Sequence, residues 1–286
     1  MKTRIITAIV GILVLIGVMF TFNTMVFNLV IAAITLIAIH EIYSALGFEK
    51  KDWLMYAVLV PYTLLVMLSS YSAMRKLVMP MSFVLVTFFA IYLVVRNGTI
   101  SYQKASGLLV FSGIVIFCFY SFVLLKERLP VEKFGYDAVF FILLILCFAW
   151  GGDTCAYFAG RAFGKHKLCP VVSPKKTVEG AVGGVLGSMA AGCVLTLAYS
   201  LLSAKYNVIS IQVQPKHYLV LLGMGAVASV LGILGDLFAS SVKRQVGIKD
   251  YGTIFPGHGG ILDRFDSVMF IAPFVSIAVR YFFYLL

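Results

Sequence analysis

Asp236, Ser240 and Lys243 stand four and three residues apart in the stretch Gly235-Asp236-Leu237-Phe238-Ala239-Ser240-Ser241-Val242-Lys243-Arg244. On a helix that spacing places an acid, a hydroxyl and an ammonium on one face. The bland reading is an acid–lysine pair that tidies a helix end. A carboxylate so close to an apolar run is expensive, which makes a functional role the default. Next comes Gly247 to Gly260, whose glycines and Pro256 exclude a helix and make a folded loop with backbone amides available to an anion. The loop ends in Ile261-Leu262-Asp263-Arg264-Phe265-Asp266. Asp263 and Asp266 share a face if a helix begins there, and with Asp236 they make an oxygen-rich cage of the kind that suits Mg²⁺. In the simpler alternative these acids only neutralise Lys249 and Arg264.

A second cluster is Trp150-Gly151-Gly152-Asp153-Thr154-Cys155-Ala156-Tyr157 with Arg161 beyond it. Asp153 lies in an otherwise apolar helical run, so it must meet a partner or a wet cavity; a structural pairing with Tyr157 or Arg161 is the competing explanation. After it, Ser173-Pro174-Lys175-Lys176-Thr177 offers hydroxyl and ammonium donors just before the start of another apolar helix, where the helix dipole also favours an anion. A triphosphate fits such a place, and so does the surface of an anionic bilayer. His40 and Glu41 have no company at metal-ligand spacing and read as a buried hydrogen-bonded pair, with a catalytic pair as the alternative. His258, between glycines, is either a brace for its loop or a phosphate contact; His166 and His217 carry no assignment.

The elements that position these residues are set by composition. The 286 residues are 61% hydrophobic and 12% charged, with a mean hydropathy of +1.00, whereas a soluble domain carries about 25% charged residues. Lipid must therefore be the solvent. Nine apolar runs, near 5–22, 25–46, 53–70, 77–95, 106–125, 135–159, 180–202, 217–240 and 267–285, predict an all-α polytopic transmembrane bundle. The first reads as a retained signal anchor, since nothing like a cleavage site follows it. With the N-terminus in the cytoplasm, inner segments hold 15 Lys and Arg and outer ones 7, which favours that orientation and puts loops 161–179 and 241–266 inside. The formal charge of +11 is scattered between apolar runs, so it reflects topology and not nucleic-acid binding. Five cysteines with no C-x-x-C pair point to reduced thiols. Residues 1–130 read as a scaffold of five spans and 131–286 as the catalytic region of four, with no internal repeat of the kind transporters use. Small residues four apart from Gly180 to Ser188 and from Gly223 to Gly235 predict close helix packing.

The run from Ser240 through Val242, Lys243, Arg244, Lys249, Asp250, Gly252, Phe255, Pro256, His258, Gly259, Gly260, Ile261, Asp263, Arg264, Phe265 and Asp266 resembles the signature of the phosphatidate cytidylyltransferases. Asp153-Thr154-x-Ala156-Tyr157 and Ser173-Pro174-Lys175-Lys176-Thr177-x-Glu179-Gly180 are similar to upstream motifs of the same family. The resemblance covers residues 150–266; earlier spans agree only in hydrophobic layout. It implies a nine-span fold, often a homodimer, in the plasma membrane, the inner one if the source is bacterial, with a site facing the cytoplasm. It also implies the reaction of CTP with phosphatidic acid to give CDP-diacylglycerol and pyrophosphate. On that footing Asp236, Asp263 and Asp266 are the expected Mg²⁺ ligands, with room for a second metal or a monovalent cation. Lys243, Arg264 and Asp153 join them as catalytic candidates. Ser173, Lys175, Lys176, Thr177, Ser240, Arg244, Lys249, His258, Gly259 and Gly260 are the expected contacts to nucleotide or lipid headgroup. Two rivals remain: an anion transporter, which would spread its acids across the bilayer depth, and a lipid kinase or other CTP-dependent lipid enzyme.

Overall fold

The computed structural model describes residues 2–206, 211–255 and 259–283. The chain divides into two compact units: 1–124 with 245–264, and 125–244 with 265–286. The first holds α1 (Lys2–Phe20), α2 (Met25–Ala45), α3 (Trp53–Met67), α4 (Ser72–Val95) and most of α5 (Tyr102–Arg128). The second continues with α6 (Val131–Phe134), α7 (Asp137–Leu146), a π-helical turn at Cys147–Gly151, and α8 (Gly152–Phe163). After it come the strands β1 (Lys167–Cys169) and β2 (Ser173–Thr177), then α9 (Val178–Tyr206), α10 (Pro215–Gln245) and, past the short α11 (Leu262–Phe265), whose first three residues belong to the first unit, α12 (Val268–Ala278).

Among the described residues six helical stretches are long and apolar enough to cross a bilayer: Met25–Ala45, Ser72–Val95, Tyr102–Arg128, Asp137–Phe163, Val178–Tyr206 and Pro215–Gln245. At about 1.5 Å per residue, roughly 20 residues are needed. The other three expected runs fall on α1, α3 and α12, of which α3 has 15 residues and α12 has 11. The apolar side chains find no protein core on their outer faces: Met79 is 84% and Phe83 73% exposed on α4. Such a surface requires hydrocarbon around it.

Polar side chains in the first unit tie helix ends together. Asn28 donates to the Met67 carbonyl at 2.7 Å, meeting an acceptor that the end of α3 leaves unpaired. Arg96, just past α4, holds Asp52, just before α3, at 3.2 Å. In the second unit the buried Asp137 accepts from Tyr199 at 2.8 Å and from the Ile211 amide at 3.1 Å, so its charge is fully met within the packing.

α8 and α9 pack through small residues as the sequence predicts. A Cβ at Gly183 would overlap Ala159, and one at Gly187 would overlap Cys155. The Phe148 carbonyl in the π turn accepts from the Gly152 amide and also from Ser188 on α9, the latter at 2.8 Å. One departure from the all-α expectation is the β1–β2 hairpin, which pairs Lys167 with Thr177 and Cys169 with Ser173 in the segment read as a loop. The motif there has no period-2 apolar pattern to announce a strand, because β2 is built from Ser, Pro, Lys and Thr.

Candidate active site

The hairpin is anchored at its base. Glu179 in the first turn of α9 accepts from the His166 amide at 3.2 Å and bonds the His166 ring at 2.7 Å, and the Val178 amide donates to the His166 carbonyl at 2.9 Å. Thr177 caps α9: its hydroxyl accepts from the Gly180 amide at 3.1 Å. The cap fixes where β2 hands over to the helix. With that junction fixed, Lys176 reaches α10 and forms an ion pair with Asp236. Lys175, next to it, is exposed, and Ser173 is half-buried.

On α10 the expected face is present. Ser240 donates to Asp236 Oδ1 at 3.1 Å, and Lys243 one turn on is only 8% exposed, while Arg244 points to solvent. Asp266 follows α11 and its Oδ1 accepts from the Ser267 amide at 2.8 Å. Ser267 in turn donates to Asp153 Oδ2 on α8 at 3.0 Å. The second unit therefore gathers Asp153, Lys176, Asp236, Ser240, Lys243 and Asp266 from four segments. Beside them Gly152, Asp153, Gly184, Ser229 and Gly232 meet Phe148, Ile233 and Ile271 around a narrow gap of about 10 Å³.

The electrostatics of this cluster are lopsided. Burial pushes the Asp266 carboxyl up from the ordinary carboxylate range to about 7; the nearby Asp236 charge adds to the rise and Asp153 adds a smaller push, against the Ser267 amide and Lys243. Asp266 is only half-buried by surface area, yet atoms crowd it densely on its inner side. Among the described residues no three His, Cys, Asp or Glu side chains come close enough to enclose a metal alone. Mg²⁺ takes one or two protein carboxylates and fills its octahedron with water and substrate phosphate, so Asp236 and Asp266 are the side chains here that could hold it.

The first unit holds the rest of the predicted set: Asp263, Arg264, Lys249, Gly259 and Gly260. Asp263 is buried and its Oδ2 accepts from the Tyr251 amide at 2.8 Å and the Gly260 amide at 3.0 Å. Gly259 has φ +86°, a left-handed conformation, and its carbonyl accepts from the Phe255 amide at 2.9 Å. Lys249 and Arg264 are exposed. His258 lies outside the described residues.

Two participants escaped the sequence reading. Ser267, one position after the motif, links Asp153 to the segment that carries Asp266. Glu41, read as half of a pair with His40, instead accepts from the amides of Ile261 and Leu262 at 2.8 and 2.9 Å. Its only signal was an acid inside an apolar span.

A family profile described as the Cytidylyltransferase family matches residues 2–282. Relatives named phosphatidate cytidylyltransferase include one from Staphylococcus haemolyticus, 32% identical across 97% of this chain and 98% of its own length. One from Staphylococcus aureus is 32% identical with the same coverage. Another, from Bacillus subtilis, is 36% identical over 64% of this chain and 61% of its own length.

Proposed function

The chain belongs to the cytidylyltransferase family, and from that premise we propose that it transfers the cytidylyl group of CTP to phosphatidate, giving CDP-diacylglycerol and pyrophosphate. The observation that carries the reading furthest is the meeting of β2, α8, α10 and the Asp266 segment around paired acids and lysines within one unit. We also read α1, α3 and α12 as completing nine crossings, with the site toward the cytoplasm and the protein dimeric in the inner membrane.

A phosphatidate phosphate oxygen attacks the α-phosphorus of CTP. The new P–O bond forms as the bond to the bridging oxygen of the β-phosphate breaks, and that electron pair leaves with pyrophosphate. The nucleophile is already anionic, so the protein has little proton to move. Its task is to bring two anions together and hold them in line. Lys176 and Lys243 supply fixed positive charge for the phosphates, and the exposed Lys175 and Arg244 extend it. Asp236 and Asp266, with Asp153 behind them, would hold Mg²⁺, which neutralises phosphate charge and stabilises the leaving group. Asp263 joins this set on the strength of the sequence motif. Ser240 orients Asp236, and Ser267 orients Asp153. The acyl chains stay in the bilayer while the headgroup enters.

The test is phosphatidate-dependent release of pyrophosphate by purified protein in detergent. One pyrophosphate per CDP-diacylglycerol supports the reading; pyrophosphate release that ignores phosphatidate, or none at all, overturns it.

A further inference from the structure

Glu41 is 3% exposed near the end of α2, a helix in which it is the one acidic or basic side chain apart from His40. A carboxylate there is stable only if its oxygens are met. They are met by backbone: Oε1 takes the Ile261 amide and Oε2 the Leu262 amide, at 2.8 and 2.9 Å. The fit around it is close. A Cβ on Gly252 or on Gly260 would overlap the Glu41 carboxylate, so both positions admit it only as glycine. The same segment is gripped from within by Asp263, which takes the amides of Tyr251 and Gly260. Two buried acids thus hold four backbone N–H groups between Tyr251 and Leu262, and the residues directly after the Glu41 contacts are Asp263 and Arg264.

We infer that Glu41 is a positioning residue for the transfer reaction: through Ile261 and Leu262 it fixes the backbone from which Asp263 and Arg264 project. This rests on the proposed function, in which Asp263 belongs to the metal-holding set and the cationic Arg264 beside it would meet a phosphate. A displacement of about 1 Å in such groups costs on the order of a hundredfold in rate. Charge matters as well as shape, because an amide in place of the carboxylate turns an NH₂ toward one of two N–H groups that it cannot accept from.

The experiment compares wild type with Glu41→Gln, a near-isosteric change, by two readouts. The first is amide hydrogen exchange of segment 251–262 in the detergent-solubilised full chain. We expect at least tenfold faster exchange there, with α4 and α5 at wild-type rates. The second is steady-state kinetics: kcat falls at least tenfold while KM for CTP stays within threefold, and the Mg²⁺ midpoint rises. Unchanged exchange in 251–262 overturns the inference. So does kcat within twofold of wild type, or faster exchange throughout the first unit with activity lost only in proportion to folded protein. Wild type that releases no phosphatidate-dependent pyrophosphate removes the proposed function instead, and the exchange readout then decides by itself whether Glu41 holds the segment.

Discussion

Lys176, the fourth residue of β2, forms an ion pair with Asp236 on α10, and both side chains remain about a quarter exposed. A pair that closed off the site would be buried; this one is open to a ligand able to divide it. On the proposed function Lys176 would meet a nucleotide phosphate and Asp236 its metal, so substrate would replace this ion pair.

That relationship separates catalysis from structure by exchange of charges. If both groups touch substrate, Lys176→Asp combined with Asp236→Lys restores nothing. A purely structural pair would recover in the double variant. We expect Lys176→Met to lower kcat/KM for CTP by about 10- to 100-fold and the swapped protein to be at least as impaired, measured as pyrophosphate release.

The Asp266 carboxyl, raised to about 7 by burial and by Asp236, gives a pH dependence with a definite sign. Its folded value lies above its unfolded one, so the metal-free protein loses stability as pH rises through about 4 to 7. A divalent cation must displace that proton below about 7, so its affinity rises with pH there, by at most about tenfold per unit, and levels off above. Titration calorimetry with Mg²⁺ at pH 6 and 8 checks this. Asp266→Asn should flatten the profile, and equal affinity at both pH values in wild type would refute the assignment.

Packing of α10 yields a prediction that does not depend on catalysis. A Cβ at Gly225 would come within 2.9 Å of the Met189 Cα and 3.0 Å of its nitrogen, both backbone atoms on α9 that cannot turn aside. At Gly223 nothing lies within 4 Å. Gly225→Ala should therefore destabilise by about 1–3 kcal/mol. Gly223→Ala should be neutral or stabilise by up to about 1 kcal/mol through helix propensity. Thermal denaturation in detergent distinguishes the two.

The face shared by Asp236, Ser240 and Lys243 was legible because helical spacing is fixed by geometry, and the small-residue stripe of α9 was legible for the same reason. The β1–β2 hairpin was not, since its strands rest on the His166–Glu179 anchor and the Thr177 cap and not on apolar alternation. Glu41 was opaque for a different reason. Its partners are backbone amides 220 and 221 positions away, and an amide carries no sequence identity. Asp153 was recognised as needing a partner, but the sequence offered Tyr157 and Arg161 on its own helix, whereas Ser267 comes from a segment after α11. The number of crossings was readable only as far as hydropathy reaches: α3 and α12 are apolar but short, at 15 and 11 residues.

The most direct measurement uses purified protein, phosphatidate, Mg²⁺ and CTP labelled in parallel at the α- or the γ-phosphate. Cytidylyl transfer predicts label in the lipid from α-labelled CTP alone, and loss of that label, roughly a hundredfold or more, in a folded Asp236→Asn variant. Lipid labelled from the γ-position, or labelled equally by wild type and Asp236→Asn, would contradict the account.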